Sequence, residues 1–173
     1  MGEKLAYRSI MLLAAAILWL GMAEANAQNG TPLGQYGDWM ILSYGSASKK
    51  VCFAASQPKE SEPKGLNRDA VVFYVSVWPK EGVKGEISIK LGYKAKKGSE
   101  ATLAIGKDSF KLFTKEDKVF VDDPTRELKL LEALKKGSKA TVLATSERGT
   151  ATTDTFSLSG LAQALQALAT ACP

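Results

Sequence analysis

The chain has 173 residues, with 23 Lys and Arg against 18 Asp and Glu, and it contains no histidine. This length allows one ordinary domain. The absence of histidine excludes Ser–His and Cys–His catalytic arrangements, and with only two cysteines a structural zinc site is excluded as well. No cofactor is expected. The basic residues lie in small separate clusters without interleaved aromatic residues, so nucleic acid is not expected as a partner.

Residues 1–27 have the pattern of a cleavable secretory signal. Lys4 and Arg8 precede a short apolar run, and an A-x-A site follows it. The apolar run is shorter than the roughly 20 residues that cross a bilayer. We therefore predict cleavage between Ala27 and Gln28, with no membrane-spanning segment after cleavage.

Short segments of strand type follow a flexible leader that we predict over residues 28–36. Each is rich in β-branched or aromatic residues and is bounded by turn residues. They cover residues 37–44, 50–56, 70–78, 85–93, 100–105, 109–114, 118–122, 138–146 and 150–159. The segment 70–78 is apolar on both faces, which predicts a central strand with both faces covered. Two prolines and many charges predict a surface loop over 57–69.

The apolar period changes to that of a helix in two places. Asp123 is suited to cap a helix and Pro124 to begin it, and about 13 residues of helix are predicted from there. Its apolar face is expected to hold Leu128, Leu131 and Leu134. We interpret Asp123 as a helix cap; a catalytic carboxylate pair with Asp122 is the alternative.

The second predicted helix closes the chain after Ser159, which can cap it. One stripe of this helix holds three leucines and a cysteine, Leu161, Leu165, Leu168 and Cys172. Cys172 is therefore expected to point into the protein. An exported protein with an even cysteine count favours one disulfide, between Cys52 and Cys172. A redox pair is the alternative, but the C-x-x-C spacing is absent.

These elements predict a single mainly β domain over residues 37–173. Seven to ten short strands, one internal helix and one C-terminal helix indicate an antiparallel β-sandwich or a partly open barrel. We find no internal repeats that would indicate a different architecture.

Asp154 is the candidate site residue with the most specific expectation. In a regular strand Asp154 shares a face with Thr152 and Phe156, so it is buried if Phe156 is buried. A buried carboxylate needs a cation or several donors. Arg148, across the adjoining turn, and Arg68, in the loop before 70–78, are the candidate cations. We interpret the group as a structural ion pair; an active-site carboxylate and a bulge that turns Asp154 outward are the alternatives.

Other candidate chemistry has a simpler structural explanation. Four aromatic residues are interpreted as core residues, and a carbohydrate platform is the alternative if they are exposed: Trp39, Tyr44, Trp78 and Tyr93. No serine lies in a G-x-S-x-G elbow or has the companion motifs of S-x-x-K. The "RGT" at 148–150 is interpreted as a hairpin turn.

Several separated motifs resemble one known family in their order along the chain. They are "YGDW", "KVCFAASQP", "NRD" before an aromatic strand, "KGSEATLAIGKDSFKLFT", "LEALKKGS" and "RGTATTDTFSLSGLAQAL" followed by "AC". The sequence resembles the invasion-associated locus B proteins of Gram-negative bacteria from about Gly37 to Cys172. Some members have a cysteine shortly after the "GDW" motif, where Ser43 and Tyr44 stand here, which favours the long Cys52–Cys172 bridge.

The resemblance implies an exported protein with a compact mainly β domain, in a family whose founding members are linked to host-cell invasion. It carries no catalytic residues over to this chain. We expect a non-enzymatic protein that binds an envelope or host component. The expected location is the periplasm, and outer-membrane association and secretion are the alternatives. A carboxylate-based hydrolase of envelope glycan, using Asp154 and a second acid, is the alternative function.

Overall fold

A computed structural model describes residues 30–45 and 50–173. The predicted signal over 1–27 and its cleavage site between Ala27 and Gln28 lie outside these residues. The strands are β1 Thr31–Tyr36, β2 Trp39–Tyr44, β3 Val51–Ser56, β4 Glu60–Glu62, β5 Val72–Trp78, β6 Val83–Lys90, β7 Glu100–Ile105, β8 Asp108–Lys115, β9 Lys118–Phe120, β10 Lys139–Thr145 and β11 Ala151–Ser157. The helices are α1 Pro124–Lys136 and α2 Leu161–Ala171, and a short 3-10 helix covers Pro79–Glu81.

The described strands form one antiparallel sheet. Its order is β1-β2-β3-β5-β6-β9-β8-β7-β10-β11-β4, so the sheet is not closed and β1 and β4 are its edges. The predicted mainly β antiparallel fold with one internal and one C-terminal helix is confirmed.

The sheet curls around a core on its inner face. Trp39 of β2 packs edge-on against Phe73 of β5, and Phe73 packs against Phe156 of β11, with ring centroids 5.5 and 5.4 Å apart. The indole Nε1 of Trp39 also donates to the carbonyl of Ser157, 3.1 Å away. Because β2 and β11 lie near opposite ends of the strand order, these contacts require the two ends of the sheet to face each other.

Both helices cover the inner face. Helix α2 contacts β1, β2, β3 and β5, whereas α1 contacts β6. Cys52, on the inner face of β3, forms the predicted disulfide with Cys172 at the end of α2, with Cα atoms 6.3 Å apart. The two cysteines are 0% and 3% exposed, so the bridge lies in the core.

Two strands are present where the sequence predicted none. The predicted leader over 28–36 contains β1, and the predicted surface loop over 57–69 contains β4. Both are edge strands held by main-chain pairing with one neighbour, so they lack the apolar alternation that reveals a half-buried strand. Pro32 is tolerated in β1 because an edge strand has one unpaired side.

The ends and faces of the helices only partly match the prediction. The carboxylate of Asp123 accepts from the N–H of Arg126 at 2.7 Å, which confirms the cap of α1. The predicted leucine face is wrong only at Leu128, which is 66% exposed; Leu134 is fully buried and Leu131 packs against the core, as predicted. The remaining core residue of this helix is Leu130, which is fully buried. At about 100° per residue, Leu128 lies roughly 200° from Leu130 around the helix.

The cap of α2 also differs from the prediction. Gly160, rather than Ser159, is the residue before the first turn, and its φ of +86° is in the left-handed region. A Cβ at Gly160 would collide with the main-chain carbonyl of Tyr36, and the N–H of Asp38 donates to the carbonyl of Ser159 at 3.1 Å. The end of β1 and the start of α2 are thus in direct main-chain contact.

The predicted cover on both faces of 70–78 is wrong for one face. β5 is an interior strand of the sheet, and α2 packs on its inner side. Its outward residues, Val72, Tyr74 and Trp78, remain partly exposed. None of the described helices is long and apolar enough to cross a bilayer.

Candidate functional site

A cleft of about 400 Å³ opens where three connecting segments meet. They are the loop before β5, the turn after β6 and the turn between β10 and β11. The lining residues are Asn67, Arg68, Asp69, Gly92, Tyr93, Lys94, Ser146, Glu147 and Arg148. Two of the three residues predicted to form an ion pair, Arg68 and Arg148, therefore lie in this cleft, and the third, Asp154, pairs with Arg68.

The Asp154 carboxylate is buried and fully engaged. Alternation along β11 turns Asp154 to the inner face, where its side chain is 1% exposed. Arg68 binds it with both terminal nitrogens, Nη1 reaching Oδ2 at 3.0 Å and Nη2 reaching Oδ1. Ser61 of β4 donates to Oδ1 at 2.7 Å. The bidentate guanidinium of Arg68 and the hydroxyl of Ser61 together compensate the cost of burying this charge.

Arg68 connects Asp154 to the cleft wall. Its Nη1 also donates to the carbonyl of Leu91, 3.1 Å away, and its guanidinium carbon lies 5.7 Å from the centre of the Tyr93 ring. The Tyr93 hydroxyl lies 2.5 Å from the Thr152 hydroxyl. Burial raises the pKa of Tyr93, so its hydroxyl is protonated at neutral pH. This network joins β11, β4, the end of β6 and the loop before β5.

Arg148 does not join the ion pair. It is exposed on the turn between β10 and β11 and forms no ion pair with a carboxylate in the part of the chain that is described. Asp154 lies about 10 Å along β11 from Ala151, the first residue of that strand, at about 3.3 Å per residue. The prediction of Arg148 as a partner is therefore wrong, because the strand carries Asp154 away from the turn.

The cleft contains polar groups suited to binding, and its serine has no partner that would activate it as a nucleophile among the residues described. The Ser146 hydroxyl accepts from the N–H of Thr150 at 3.1 Å and so closes the turn. The sequence has no histidine to act as its base. Among residues 30–45 and 50–173, no cluster of acidic or cysteine side chains is suited to a metal ion.

The other predicted candidates are dispersed. Trp39 is fully buried, Tyr93 lines the cleft, and Tyr44 and Trp78 lie on the outer side of the sheet, so the four aromatic residues form no common platform. Asp122 pairs with Arg126 at 2.6 Å beside the Asp123 cap.

Sequence reasoning missed Ser61, which contacts Asp154. Its segment "ESE" resembles a charged loop, and only pairing with β11 places Ser61 opposite Asp154. Thr152, by contrast, had a detectable signal, since it shares the inward face with Asp154.

The chain matches the invasion associated locus B (IalB) protein family over residues 39–169. The chain belongs to this family. The matched range includes the cleft and Asp154. A comparison with curated proteins finds no match.

A solved structure has the same fold. It is the crystal structure of invasion associated protein B from Bartonella henselae, with a TM-score of 0.59 and 20% sequence identity. The match covers 82% of this chain and 97% of the Bartonella chain. At this identity the similarity establishes the fold alone.

Proposed function

We propose that this invasion-associated family member is an exported, periplasmic, non-enzymatic protein that binds a polar component of the cell envelope in the cleft. The observation that carries the proposal is the state of Asp154. Its carboxylate is 1% exposed, and Arg68 and Ser61 occupy both of its oxygens. The acid that could have served catalysis therefore has a structural role, and the rim of the cleft is left for recognition.

The rim offers mixed polar chemistry. Lys94 and Arg148 provide cations, Asp69 and Glu147 provide carboxylates, and Asn67 provides an amide; all five are exposed. Such a set suits a polar ligand that carries both donors and acceptors, and it does not suit an apolar molecule. A peptide or amino-sugar component of the envelope has this character.

The hydrolase alternative is not favoured by the geometry of the cleft. Glycoside hydrolysis by two carboxylates requires both groups to reach the scissile bond from the cleft. Asp154 is below the cleft surface and is screened by Arg68. We therefore expect Asp154→Asn to lower the free energy of unfolding and not to remove a catalytic activity.

A pull-down from envelope extract tests the binding proposal. The bait is the oxidised protein purified after export, compared with a variant carrying Lys94→Ala and Arg148→Ala. A matched control carries Lys97→Ala and Lys129→Ala, which remove the same charge outside the cleft. We expect the wild type and the control to retain a component that the cleft variant loses. Equal capture by all three proteins, or none, would contradict the proposal.

The periplasmic location requires its own test. Osmotic shock should release the protein, and protease added to intact cells should leave it undigested. Digestion on intact cells would show that the protein is exposed at the surface.

A further inference from the structure

The outer face of the sheet, opposite both helices, is unusually apolar over β2, β3 and β5. Strand alternation turns ten side chains of these three strands outward, and all of them except Ser76 are aliphatic, aromatic or methionine side chains. Tyr44 is 54% exposed and Met40 is 41% exposed. Phe53 and Tyr74 pack edge to face on this side, with ring centroids 5.6 Å apart. An outward face of a sheet normally carries polar side chains, so this apolar region is unusual for a surface that no described element covers.

The adjacent strands β6, β9 and β8 are basic on the same face, so the six neighbouring strands from β2 to β8 form a surface with an apolar half and a basic half. The register places Lys90 opposite Lys118, and Lys118 opposite Lys115. Three like charges therefore stand side by side on neighbouring strands, an arrangement that is destabilising on its own. None of the three forms an ion pair with a carboxylate within the described ranges.

Few acidic groups oppose this row of lysines. Glu86 lies on the same face of β6, and Glu100 of β7 is paired with Lys111 at 2.8 Å. Asp117, in the turn between Lys115 and Lys118, is close enough to Tyr74 to raise the pKa of that phenol, after the larger effect of burial. The lysine row has no carboxylate of its own in contact, so it is available to an anion.

Aromatic residues connect the apolar and basic halves. Phe120 of β9 stacks on Phe113 of β8, with ring centroids 5.5 Å apart, and Phe113 is 39% exposed. Phe120 is paired with Ser88 of β6, and Ser88 is paired with Tyr74 of β5, so the row reaches the apolar half. The aromatic row is thus adjacent, on the same side of the sheet, to the row of lysines.

We propose that this outer face docks on the surface of an anionic phospholipid membrane. Lysine ammonium groups bind lipid phosphates while their stems lie along the apolar layer, and Tyr, Trp and Phe rings occupy the headgroup level. A small soluble anion would neutralise the lysines but would leave the apolar half in water. A second copy packed face to face would cover the apolar half but would bury lysines that lack partners. A membrane surface accommodates both halves, and this inference does not depend on the cleft or its ligand.

Vesicle co-sedimentation tests the proposal. The exported protein is mixed at low salt with vesicles of phosphatidylglycerol and phosphatidylcholine in equal parts, or with vesicles of phosphatidylcholine alone. We expect binding to the anionic vesicles and at least about tenfold weaker binding to the neutral ones. Binding that does not distinguish the two compositions, or no binding, overturns the proposal.

Two variants separate the contributions of the halves. Lys118→Glu should weaken binding to the anionic vesicles about tenfold or more. It should keep the fold, because it creates opposite-charge pairs with Lys90 and Lys115. The double variant Met40→Ser and Tyr44→Ser replaces two exposed side chains of the apolar half. High salt screens the lysines, and this variant should remove the vesicle binding that the apolar half still provides there.

The matched control is Lys129→Glu on the exposed side of α1, which changes the net charge equally but lies off the outer face. It should bind as the wild type does. If Lys118→Glu and Lys129→Glu weaken vesicle binding equally, net charge alone explains the effect and the proposal is overturned. A dimer in lipid-free sedimentation that Met40→Ser with Tyr44→Ser dissociates would assign the face to a second copy instead.

Discussion

Replacing Arg68 by Met should destabilise the protein strongly. The substitution removes both guanidinium donors from Asp154, whose side chain is 1% exposed, and leaves Ser61 as its remaining donor. It also removes the donor to the carbonyl of Leu91. Removing one partner of a buried ion pair costs about 3 to 5 kcal/mol, because the other charge remains buried without compensation. We expect a loss of that size in the free energy of unfolding.

The double variant with Arg68→Met and Asp154→Leu separates a buried charge from a general loss of packing. With both charges removed, the free energy of unfolding should return to within about 2 kcal/mol of the wild type. The exposed pair between Arg126 and Asp122 supplies the control, and Arg126→Met should cost less than about 1 kcal/mol.

Urea unfolding of the oxidised proteins, followed by tryptophan fluorescence, measures all three variants. A cost below about 1 kcal/mol for Arg68→Met would show that the Asp154 carboxylate does not depend on Arg68 for its burial. A double variant that is no more stable than the single one would show that the uncompensated charge is not the cause of the loss.

Three further predictions concern the disulfide, a main-chain contact and pH. Cys52→Ala with Cys172→Ala opens a loop with a sequence separation of 120 residues, and the chain-entropy model gives a loss of up to about 4 to 5 kcal/mol in urea unfolding. Gly160→Ala should lower the melting temperature more than Gly149→Ala, because both glycines have a φ of +86° but only Gly160 faces a neighbouring carbonyl. Burial, more than the nearby Glu86 charge, raises the pKa of Glu127, against a hydrogen bond from a main-chain N–H. The folded state therefore binds more protons than the unfolded state, and stability falls as the pH rises from the ordinary glutamate pKa through the raised one. Glu127→Gln should remove this part of the pH dependence, measured by urea unfolding across that range.

Each of these predictions has a result that contradicts it. Two free thiols in the mass of the exported protein would show that the disulfide does not form. Equal melting temperatures for the two glycine variants would mean that the main-chain contact at Gly160 relaxes without cost. An unchanged pH profile in Glu127→Gln would show that Glu127 is solvated like an ordinary glutamate.

Local patterns in the sequence determined much of this protein. Alternation within 150–159 placed Asp154 on the same side as Phe156, and both are buried. The helical stripe ending at Cys172 pointed the cysteine into the core, where it meets Cys52. The choice of Asp123 as a cap was equally local, since the capped N–H lies three residues away. These features depend on neighbours within a few residues, so periodicity and capping chemistry suffice to predict them.

Tertiary structure alone decided which residues meet across the sheet. Arg148 is close to Asp154 in sequence, yet Arg68, 86 residues away, reaches the carboxylate. β1 and β4 form because a neighbouring strand offers main-chain partners, and their own side chains carry no such signal. The row of Lys90, Lys118 and Lys115 exists only through the register of three strands. Strand order and register arise from contacts distant along the chain, and a period of two residues specifies which side a residue faces but not what lies opposite it.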